Sequence, residues 1–328
     1  MTSGVAAAQV SSVNTPARPA SLMIAAGLVL VQILFGMNYV VSKIVVGVFQ
    51  PLVWASLRLI LSTLLLGFLL KFVLRRPHPA KTREFFLPMI GLSLLGVIIN
   101  QASFLVGLKL TTSTNSAVLN TLIPVFTLMV VTIRGQELLT TKRVVGLLCA
   151  LSGVLVLRKI ENFTISDQTF VGDLLTMLNC LSYALFLSFG KRFMSKFDPI
   201  WVTFWLFTYG SVGMTLLALP QWLQFTMPVF TGDLIAACLF AVFGATLLTY
   251  FLNFWALAYA KPSQVALYGY LQPIVAASFA WIVFSEPLTL RMVFSSALIF
   301  VGMLMGLSGR QVKPDSPPAD LATRSEQP

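Results

Sequence analysis

The chain alternates long apolar runs with short segments that hold most of its charged residues. A helix that crosses a bilayer needs about 20 mostly apolar residues, and the runs approach or exceed that length. The pattern therefore predicts an all-α polytopic membrane protein with ten transmembrane helices. The predicted spans cover residues 22–42, 51–72, 84–108, 113–133, 142–158, 169–190, 199–219, 231–257, 263–284 and 288–309.

The segments between the runs carry signals of helix ends. Pro51, Pro199 and Pro262 stand where the first turn of the following helix is expected. Proline is tolerated there because its missing N–H would have no partner within the helix. Thr140 or Thr141, and Thr289, are predicted N-caps, since a threonine hydroxyl can accept a hydrogen bond from a free amide of the first turn.

One stretch of the sequence occurs twice. Residues 112–155 align without a gap on residues 261–304, a shift of 149 positions. In both copies a proline interrupts the apolar run, a glutamate follows 13 residues later, and a threonine comes three residues after the glutamate. The predicted segments are a disordered cytoplasmic tail (1–21), a first five-helix repeat (22–158), an external linker (159–168), a second five-helix repeat (169–309) and a second disordered cytoplasmic tail (310–328).

An odd number of spans in each repeat places the second repeat upside down relative to the first. Transporters built from inverted repeats have a pseudo-two-fold axis in the membrane plane, and their substrate binds where the repeats meet. If the two repeats exchanged shapes, a shared cavity would open first to one side of the membrane and then to the other. The repeat therefore favours transport before any single residue is considered.

Lysine and arginine in short loops predict the orientation, because such loops are retained on the cytoplasmic side. Most of the 22 Lys and Arg residues fall on the side of the membrane that holds both termini. Clusters within 71–83, 134–143 and 191–196 lie on that side. We predict an integral protein of the cell membrane (inner or plasma membrane) with both termini in the cytoplasm.

The composition supports the membrane assignment. Of the 328 residues, 57% are hydrophobic and 10% are charged, and the mean hydropathy is +0.87. A soluble domain has about 25% charged residues. The net charge of +11 does not predict nucleic-acid binding, because the basic residues fall between the apolar runs and form no single stripe.

The sequence predicts no metal site, no cofactor and no catalytic residues. Cys149, Cys180 and Cys238 lie within apolar runs, where a free cysteine behaves as a small hydrophobe. The single histidine, His78, lies in a basic loop and has no second histidine with which to hold zinc. An ATP-driven pump is disfavoured because the chain has no G-x-x-x-x-G-K-[ST] sequence.

The first copy of the repeated motif reads Ala117-Val118-Leu119, Pro124-Val125-Phe126, Glu137-Leu138-Leu139-Thr140, Gly146 and Gly153-Val154-Leu155. The second reads Ala266-Leu267-Tyr268, Pro273-Ile274, Glu286-Pro287-Leu288-Thr289 and Gly302. With these motifs the chain resembles the EamA family of the drug/metabolite transporter superfamily. The resemblance covers residues 22–309 and implies a ten-helix metabolite carrier, often an exporter, with cytoplasmic termini. It implies little about the substrate.

Polar residues within the predicted spans are the candidates for a substrate site, because in hydrocarbon they tend to face a cavity or another helix. Asn120 precedes Pro124 by one turn, and Gln272 directly precedes Pro273. Each proline frees a carbonyl one turn earlier, so both are predicted to kink or gate helices that line a cavity. Asn120, Tyr268 and Gln272 are the leading predicted substrate-binding group; the alternative is that they only hydrogen-bond neighbouring helices.

A second group of polar residues lies in the third, sixth and eighth predicted spans. Hydrogen bonds between helices and a place in the substrate site both explain such residues. The group comprises Asn100 and Gln101, then Asn179 and Tyr183, then Thr249 and Asn253.

Arg58 is the only charged residue well inside a predicted span. It follows Pro51 by seven residues, which places it roughly 10 Å along the helix, so its side chain could reach the outer headgroups. Structural pairing with another residue of the protein is a second interpretation. In a third, Arg58, together with Asn38, binds a carboxylate or phosphate of the substrate in an outer vestibule. The second repeat has Leu206 and Phe186 where Arg58 and Asn38 would recur.

Glu137 and Glu286 are predicted to be structural. Each falls in a short loop at the first turn of the next helix, where a carboxylate complements the helix dipole. No Asp or Glu is placed in the middle of a predicted span, so coupling to protons or sodium through a central carboxylate is not predicted. Downhill export or exchange fits better.

The leading functional prediction is a secondary transporter, an exporter of a small organic metabolite such as an amino acid or a related amphipathic compound. Alternating access would occur at the interface of the inverted repeats, and the amide-rich interior suits a neutral or zwitterionic substrate. The alternative is a membrane sensor or assembly subunit that binds a small ligand without moving it. The predicted partners are the substrate and the lipid bilayer. Gly302 and Gly306 are predicted to pack closely on another helix, either in this chain or in a second copy that would form a homodimer, since small residues let helices approach closely.

Overall fold

A computed structural model describes residues 19–75, 83–110, 119–157, 170–272, 274–275, 278 and 290–307. Within these ranges the chain is almost entirely helical and has no β-strand, which confirms the predicted all-α fold. Pro273, Glu286 and Thr289, three of the residues singled out in the sequence, lie outside the described ranges.

The α-helices of the described ranges are numbered here in chain order. Three π-helical segments extend or connect them: Leu69–Val73 follows α2, Leu94–Ile99 joins α3 to α4, and Phe240–Leu248 joins α9 to α10. The helices are α1 (Ser21–Val46), α2 (Pro51–Phe68), α3 (Arg83–Ser93), α4 (Asn100–Leu110), α5 (Ile123–Ile133), α6 (Thr141–Leu157), α7 (Phe170–Met194), α8 (Pro199–Trp222), α9 (Gly232–Leu239), α10 (Thr249–Tyr259), α11 (Pro262–Tyr268) and α12 (Leu290–Leu307).

Six helical stretches of the described chain are long and apolar enough to cross a membrane, and they coincide with the first three and the sixth to eighth predicted spans. The other four predicted spans contain the shorter helices α5, α6, α11 and α12. The protein is therefore a polytopic helical membrane protein, and the count of ten spans stays a prediction. The six stretches are Ser21–Asn38, Pro51–Val73, Arg83–Leu110, Phe170–Met194, Pro199–Trp222 and Gly232–Tyr259.

Large apolar side chains cover much of the outside of the bundle. Leu64 on α2, Leu216 on α8, and Phe294 and Leu304 on α12 are each 62% to 65% exposed. A soluble protein rarely exposes extensive contiguous apolar surface. Lipid chains are as apolar as leucine and cover such a surface without loss of free energy. The exposed side chains therefore agree with helices that face lipid.

Aromatic rings join helices of the two repeats in the core. The rings of Phe85 on α3 and Phe193 on α7 have centroids 5.6 Å apart. Within the second repeat, the rings of Phe207 on α8 and Tyr250 on α10 have centroids 5.2 Å apart, and both residues are buried. Aromatic pairs at these separations add to the free energy of simple area burial. The Phe207–Tyr250 pair helps to fix the position of α10, which carries Tyr250 toward the interface of the repeats.

Helices α6 and α12 approach each other through glycines. A Cβ atom at Gly302 would lie 2.3 Å from the backbone nitrogen of Ala150 and 2.6 Å from the carbonyl oxygen of Gly146. A Cβ atom at Gly146 would lie 2.5 Å from the backbone nitrogen of Gly306. Glycine is required where two helix backbones come this close. The helix on which Gly302 and Gly306 pack closely, as the sequence predicted, is therefore α6 of the same chain.

The buried carboxylate of Glu137 links the two repeats. It accepts a hydrogen bond from the Arg143 guanidinium at 2.9 Å, a second from the Ser263 amide at 3.2 Å, and a third from the Ser263 hydroxyl. Ser263 lies in the first turn of α11. Glu137 thus complements the N-terminus of a helix in the second repeat and not that of α6, the next helix in the chain, as the sequence predicted.

Thr140 differs from its predicted role as a side-chain cap. Its carbonyl oxygen accepts hydrogen bonds from the amides of Arg143 and Val144, at 2.9 and 3.1 Å. A capping hydroxyl accepts from the amide two or three residues ahead, and the latter, the Arg143 amide, is already bonded to the Thr140 carbonyl. The buried Thr140 hydroxyl accordingly has no hydrogen-bond partner among the described residues.

Two buried serines of α2 allow a matched test of one contact between α2 and α8. The Ser56 hydroxyl accepts a hydrogen bond from the Trp222 indole at 3.0 Å and donates one to the Val53 carbonyl of its own helix at 2.9 Å, whereas the Ser62 hydroxyl has no partner in the described part of the chain. We predict that Ser56→Ala lowers the free energy of unfolding by about 1 kcal/mol. Ser62→Ala should be neutral or stabilising, because it removes a buried hydroxyl that has no bond to lose. Thermal unfolding in detergent measures both, and an equal loss in the two variants would contradict the assignment.

Candidate functional site

Two of the predicted spans are interrupted by a turn near their middle. In the first repeat the turn at Thr121–Leu122 precedes α5, and in the second repeat the turn at Gly269–Tyr270 follows α11. These turns stand at nearly equivalent positions under the 149-residue shift. Pro124 lies in the first turn of α5, where its missing N–H has no cost. The first interruption therefore precedes Pro124, which begins a new helix and does not kink a continuous one.

A cavity of about 160 Å³ lies between the two repeats. Helices α1, α2, α4 and α5 contribute to its wall from the first repeat, and α7, α10 and α11 from the second. The candidate residues that line it are Asn38, Arg58, Asn100, Gln101, Asn120, Pro124, Asn179, Tyr183, Asn253 and Gln272.

Tyr268 lies outside the lining of this cavity, whereas Tyr270 is part of it. In a continuous helix, residues 268 and 272 would share one face. Here the backbone N–H of Gln272 donates to the Gly269 carbonyl, three residues earlier, at 3.1 Å. The turn therefore changes the direction of residue 272 relative to residue 268. Tyr270 is 1% exposed, and its hydroxyl has no partner among the described residues.

Gln32, Tyr250 and Tyr270 are lining residues that the sequence interpretation missed. The sequence did contain a signal for Tyr250: it lies 149 positions after Gln101 and is therefore the equivalent residue in the second repeat. The Gln101 amide nitrogen donates a hydrogen bond to the Tyr250 hydroxyl. Equivalent residues of two repeats meet where a pseudo-two-fold axis passes between them, so polar pairs at the repeat shift are candidates for the interface.

Two of the π-helical segments set the direction of the lining residues that follow them. Leu94–Ile99 ends directly before Asn100, and Phe240–Leu248 ends directly before Thr249, which is 149 positions later. A π-helical turn has i→i+5 hydrogen bonds and rotates the following residues relative to an uninterrupted α-helix, and such turns recur at functional sites. Both repeats therefore change register just before the residues that meet at the cavity.

Three asparagines form a chain of hydrogen bonds across the repeats. The Asn100 amide nitrogen donates to the Asn179 side-chain oxygen at 2.6 Å, and the Asn179 nitrogen donates to the Asn120 oxygen at 2.7 Å. Nearby, the Asn253 amide nitrogen donates to the Tyr183 hydroxyl. The buried nitrogen of Asn120 and the buried oxygen of Asn253 have no partner among the described residues. The amides thus bond neighbouring helices and still present free polar atoms.

A second amide pair connects α1 to the segment that follows α11. The Gln272 side-chain nitrogen donates to the Gln32 side-chain oxygen at 2.7 Å. Gln32 is 4% exposed, and both residues line the cavity. The pair therefore ties the first helix of the first repeat to the interrupted span of the second repeat.

Arg58 is buried, with 7% of its surface exposed, and lines the cavity. Its guanidinium Nη2 donates to the side-chain oxygen of Gln101, and its buried Nε has no partner in the described part of the chain. The side chain therefore faces the protein interior and does not reach the bilayer surface. Asn38, on α1, also lines the cavity and has a buried side-chain oxygen without a partner among the described residues.

The lining combines one cation with amides, hydroxyls and apolar side chains. Arg58 is its only charged residue within the described ranges. No group of three or more His, Cys, Asp or Glu residues in those ranges is placed to hold a metal ion. The site can therefore offer hydrogen bonds, a single positive charge and apolar contact to a small molecule.

Comparisons with known proteins give one consistent relationship. The model of the EamA-like transporter family matches residues 22–159 and again residues 170–307. The uncharacterized transporter YoaV of Bacillus subtilis (strain 168) is 24% identical over 85% of this chain and 94% of its own length. An uncharacterized transporter of Archaeoglobus fulgidus is 27% identical over 82% and 93% of the two chains. A WAT1-related protein of Arabidopsis thaliana is 22% identical over 86% and 81%.

The fold has a counterpart among solved structures. One crystal structure superposes with a TM-score of 0.70 and 16% sequence identity, over 86% of this chain and 94% of the other. At that identity the likeness concerns the fold alone.

Proposed function

The chain belongs to the EamA-like transporter family, within the drug/metabolite transporter superfamily, and on this premise we propose that it exports a small organic metabolite. The observation that carries the proposal is the cavity between the repeats, with its cluster of amide side chains and their unpaired polar atoms. Buried polar atoms normally have hydrogen-bond partners, so unpaired ones around a cavity are available to a ligand. We infer that the substrate binds there.

The size and lining of the cavity support a small amphipathic substrate such as an amino acid. A cavity of about 150 Å³ can hold a molecule of the size of benzene, and the volume here is about 160 Å³. Phe35, Phe104 and Leu108 supply apolar contact, while the asparagines supply hydrogen bonds. A ligand pocket with an apolar wall and a few placed polar groups selects by orientation as well as by size.

Contacts between the repeats support alternating access. Ser263, which bonds Glu137, lies just before Val265 and Ala266 of the cavity wall. In the same region the Gln136 side-chain nitrogen donates to the Ser188 carbonyl at 3.0 Å. We propose that these bonds close the end of the cavity beside the loop between α5 and α6, and that they break when that end opens. With the predicted orientation, this is the cytoplasmic end.

Export profiling tests the proposal. We expect cells that overproduce the wild type to release at least one metabolite that cells with Asn120→Leu/Gln272→Leu release about thirtyfold less, since each change removes neutral hydrogen bonds worth about 1 kcal/mol and the two together about 2 kcal/mol. Ser62→Ala, which lies outside the cavity lining, is the matched control and should release as much as the wild type. Membrane levels of the three proteins are equalised before the medium is profiled.

Two results would count against the proposal. Equal release by the wild type and the double variant would place the substrate elsewhere. Release no greater than from cells without the protein would contradict export, and binding without flux in proteoliposomes would then favour a sensor or assembly subunit.

A further inference from the structure

We propose that Arg58 binds the carboxylate of the substrate, so that the cavity accepts small monocarboxylates, with or without an amino group, and rejects amines that lack a carboxylate. The inference rests on the proposed function, because it concerns the same cavity. It adds the charge class of the substrate and the residue that selects it.

The first step is the incomplete pairing of Arg58. A guanidinium has five N–H donors, and the hydrogen bond to Gln101 uses one of them. Its Nε is buried without a partner, and no Asp or Glu of the described ranges lines the cavity. A buried charge is costly unless it is paired and hydrogen-bonded. A carboxylate is the partner that matches the planar guanidinium in both charge and geometry.

The second step is the position of the guanidinium. Arg58 lies on α2 of the first repeat, and its partner Gln101 in turn bonds the Tyr250 hydroxyl on α10 of the second repeat. Tyr250 packs against Phe207 and is 9% exposed. The cation is therefore held in place at the interface of the repeats before any ligand arrives. A preorganised group loses less conformational entropy on binding.

The third step is selection by charge. A cationic amine would bring a second positive charge beside Arg58, and the described lining has no carboxylate to offset it. A polyanion such as a phosphorylated sugar would need several cations, and the described lining has one. One carboxylate on the substrate balances the single positive charge of Arg58.

The fourth step concerns the rest of the substrate. The side-chain oxygens of Asn38 and Asn253 are buried and have no partner among the described residues, so they can accept hydrogen bonds from an ammonium or hydroxyl group. Phe35 and Leu108 provide an apolar wall. A branched aliphatic carboxylic acid, with or without an amino group, matches both features.

Three probes of nearly one shape separate these contributions. L-leucine carries a carboxylate and an ammonium, 4-methylpentanoate carries only the carboxylate, and L-leucinamide carries only the ammonium. We expect the first two to raise the thermal unfolding midpoint of the purified full-length protein in detergent, with saturation, and the third to leave it unchanged. No shift with either carboxylate, or an equal shift with L-leucinamide, would overturn the inference.

Variants of Arg58 then test the residue itself. In Arg58→Gln the affinity for both carboxylate probes should fall by roughly ten- to a hundredfold, as expected for a lost hydrogen bond to a charged group. Arg58→Lys keeps the charge but not the planar fork, so its affinity should be intermediate. If Arg58→Gln does not fold, Arg58→Lys carries the comparison, and undiminished carboxylate affinity in it would count against the proposed geometry.

A further variant distinguishes direct binding of the carboxylate by Arg58 from a role in which Arg58 only supports the site. Tyr250→Phe removes the hydroxyl that holds Gln101 but keeps the cation, so it should weaken binding while preserving the preference for carboxylates over L-leucinamide. If Tyr250→Phe and Arg58→Gln both abolished that preference, Arg58 would act only by supporting the site. These binding results are independent of export. Carboxylate binding without export would defeat the proposed function alone, and export of amines that lack a carboxylate would defeat this inference alone.

Discussion

Glu137→Ala should lower the free energy of unfolding by about 3–5 kcal/mol, the loss expected when one partner of a buried ion pair is removed. The Arg143 and Glu137 side chains are only 7% and 2% exposed. The variant would leave the Arg143 guanidinium buried without its carboxylate. It would also leave the Ser263 amide and hydroxyl, in the first turn of α11, without their acceptor.

An exposed ion pair of the same length supplies the control. Lys196 and Glu84 are also 2.9 Å apart, but their side chains are 60% and 78% exposed. Water and salt screen such a pair, and its removal is usually not measurable. We therefore expect Glu84→Gln to leave the unfolding midpoint in detergent unchanged. Similar losses in Glu84→Gln and Glu137→Ala would mean that burial does not determine the contribution of Glu137.

Ser263→Ala separates the two roles of the Glu137 carboxylate. This variant removes the hydroxyl donor and keeps both the backbone amide and the ion pair with Arg143. Its expected loss is about 1.5–3 kcal/mol, because the removed hydrogen bond has a charged acceptor. If Ser263→Ala lost as much unfolding free energy as Glu137→Ala, the main contribution of Glu137 would come from its hydrogen bond at the start of α11 and not from the ion pair with Arg143.

Gly302→Ala should lower the free energy of unfolding by about 3 kcal/mol, at the upper end of the range for overpacked positions. The added Cβ would meet the backbone of Ala150 and Gly146 at 2.3 and 2.6 Å, and backbone atoms cannot move aside as a side-chain tip can. Helices α6 and α12 would have to separate along their whole contact.

Gly91 is the matched control for this substitution. It lies in α3, and a Cβ atom there would meet no atom within 4 Å. Alanine favours the helix by roughly 0.5–1 kcal/mol over glycine, so Gly91→Ala should be neutral or slightly stabilising. Unfolding midpoints in detergent measure both variants. A destabilised Gly91→Ala, or an unaffected Gly302→Ala, would contradict the close approach of α6 and α12.

The dense contact of α6 and α12 also bears on assembly. The glycines that the sequence offered for a second copy are used within the chain, so a homodimer would need another surface. Dimer formation stays a prediction without a motif to support it.

Much of the architecture was readable from local features of the chain. Hydropathy and helix-end signals predicted the spans, and the helices α1, α2 and α8 begin within one residue of the predicted starts. The polar residues of the cavity were also mostly predictable, because an amide within an apolar run must face a partner or a cavity. Asn100, Asn120 and Asn179 meet that expectation.

Other features depend on how distant parts of the chain pack, and no local pattern contains them. Tyr270 lines the cavity where Tyr268 was expected, because the turn at Gly269–Tyr270 changes which face of the span a side chain takes. Arg58 and Glu137 have partners on elements far away in sequence, and their burial follows from those partners. Hydrophobicity and repeats are properties of neighbouring residues, whereas the direction and pairing of a buried polar group arise only when the helices have assembled.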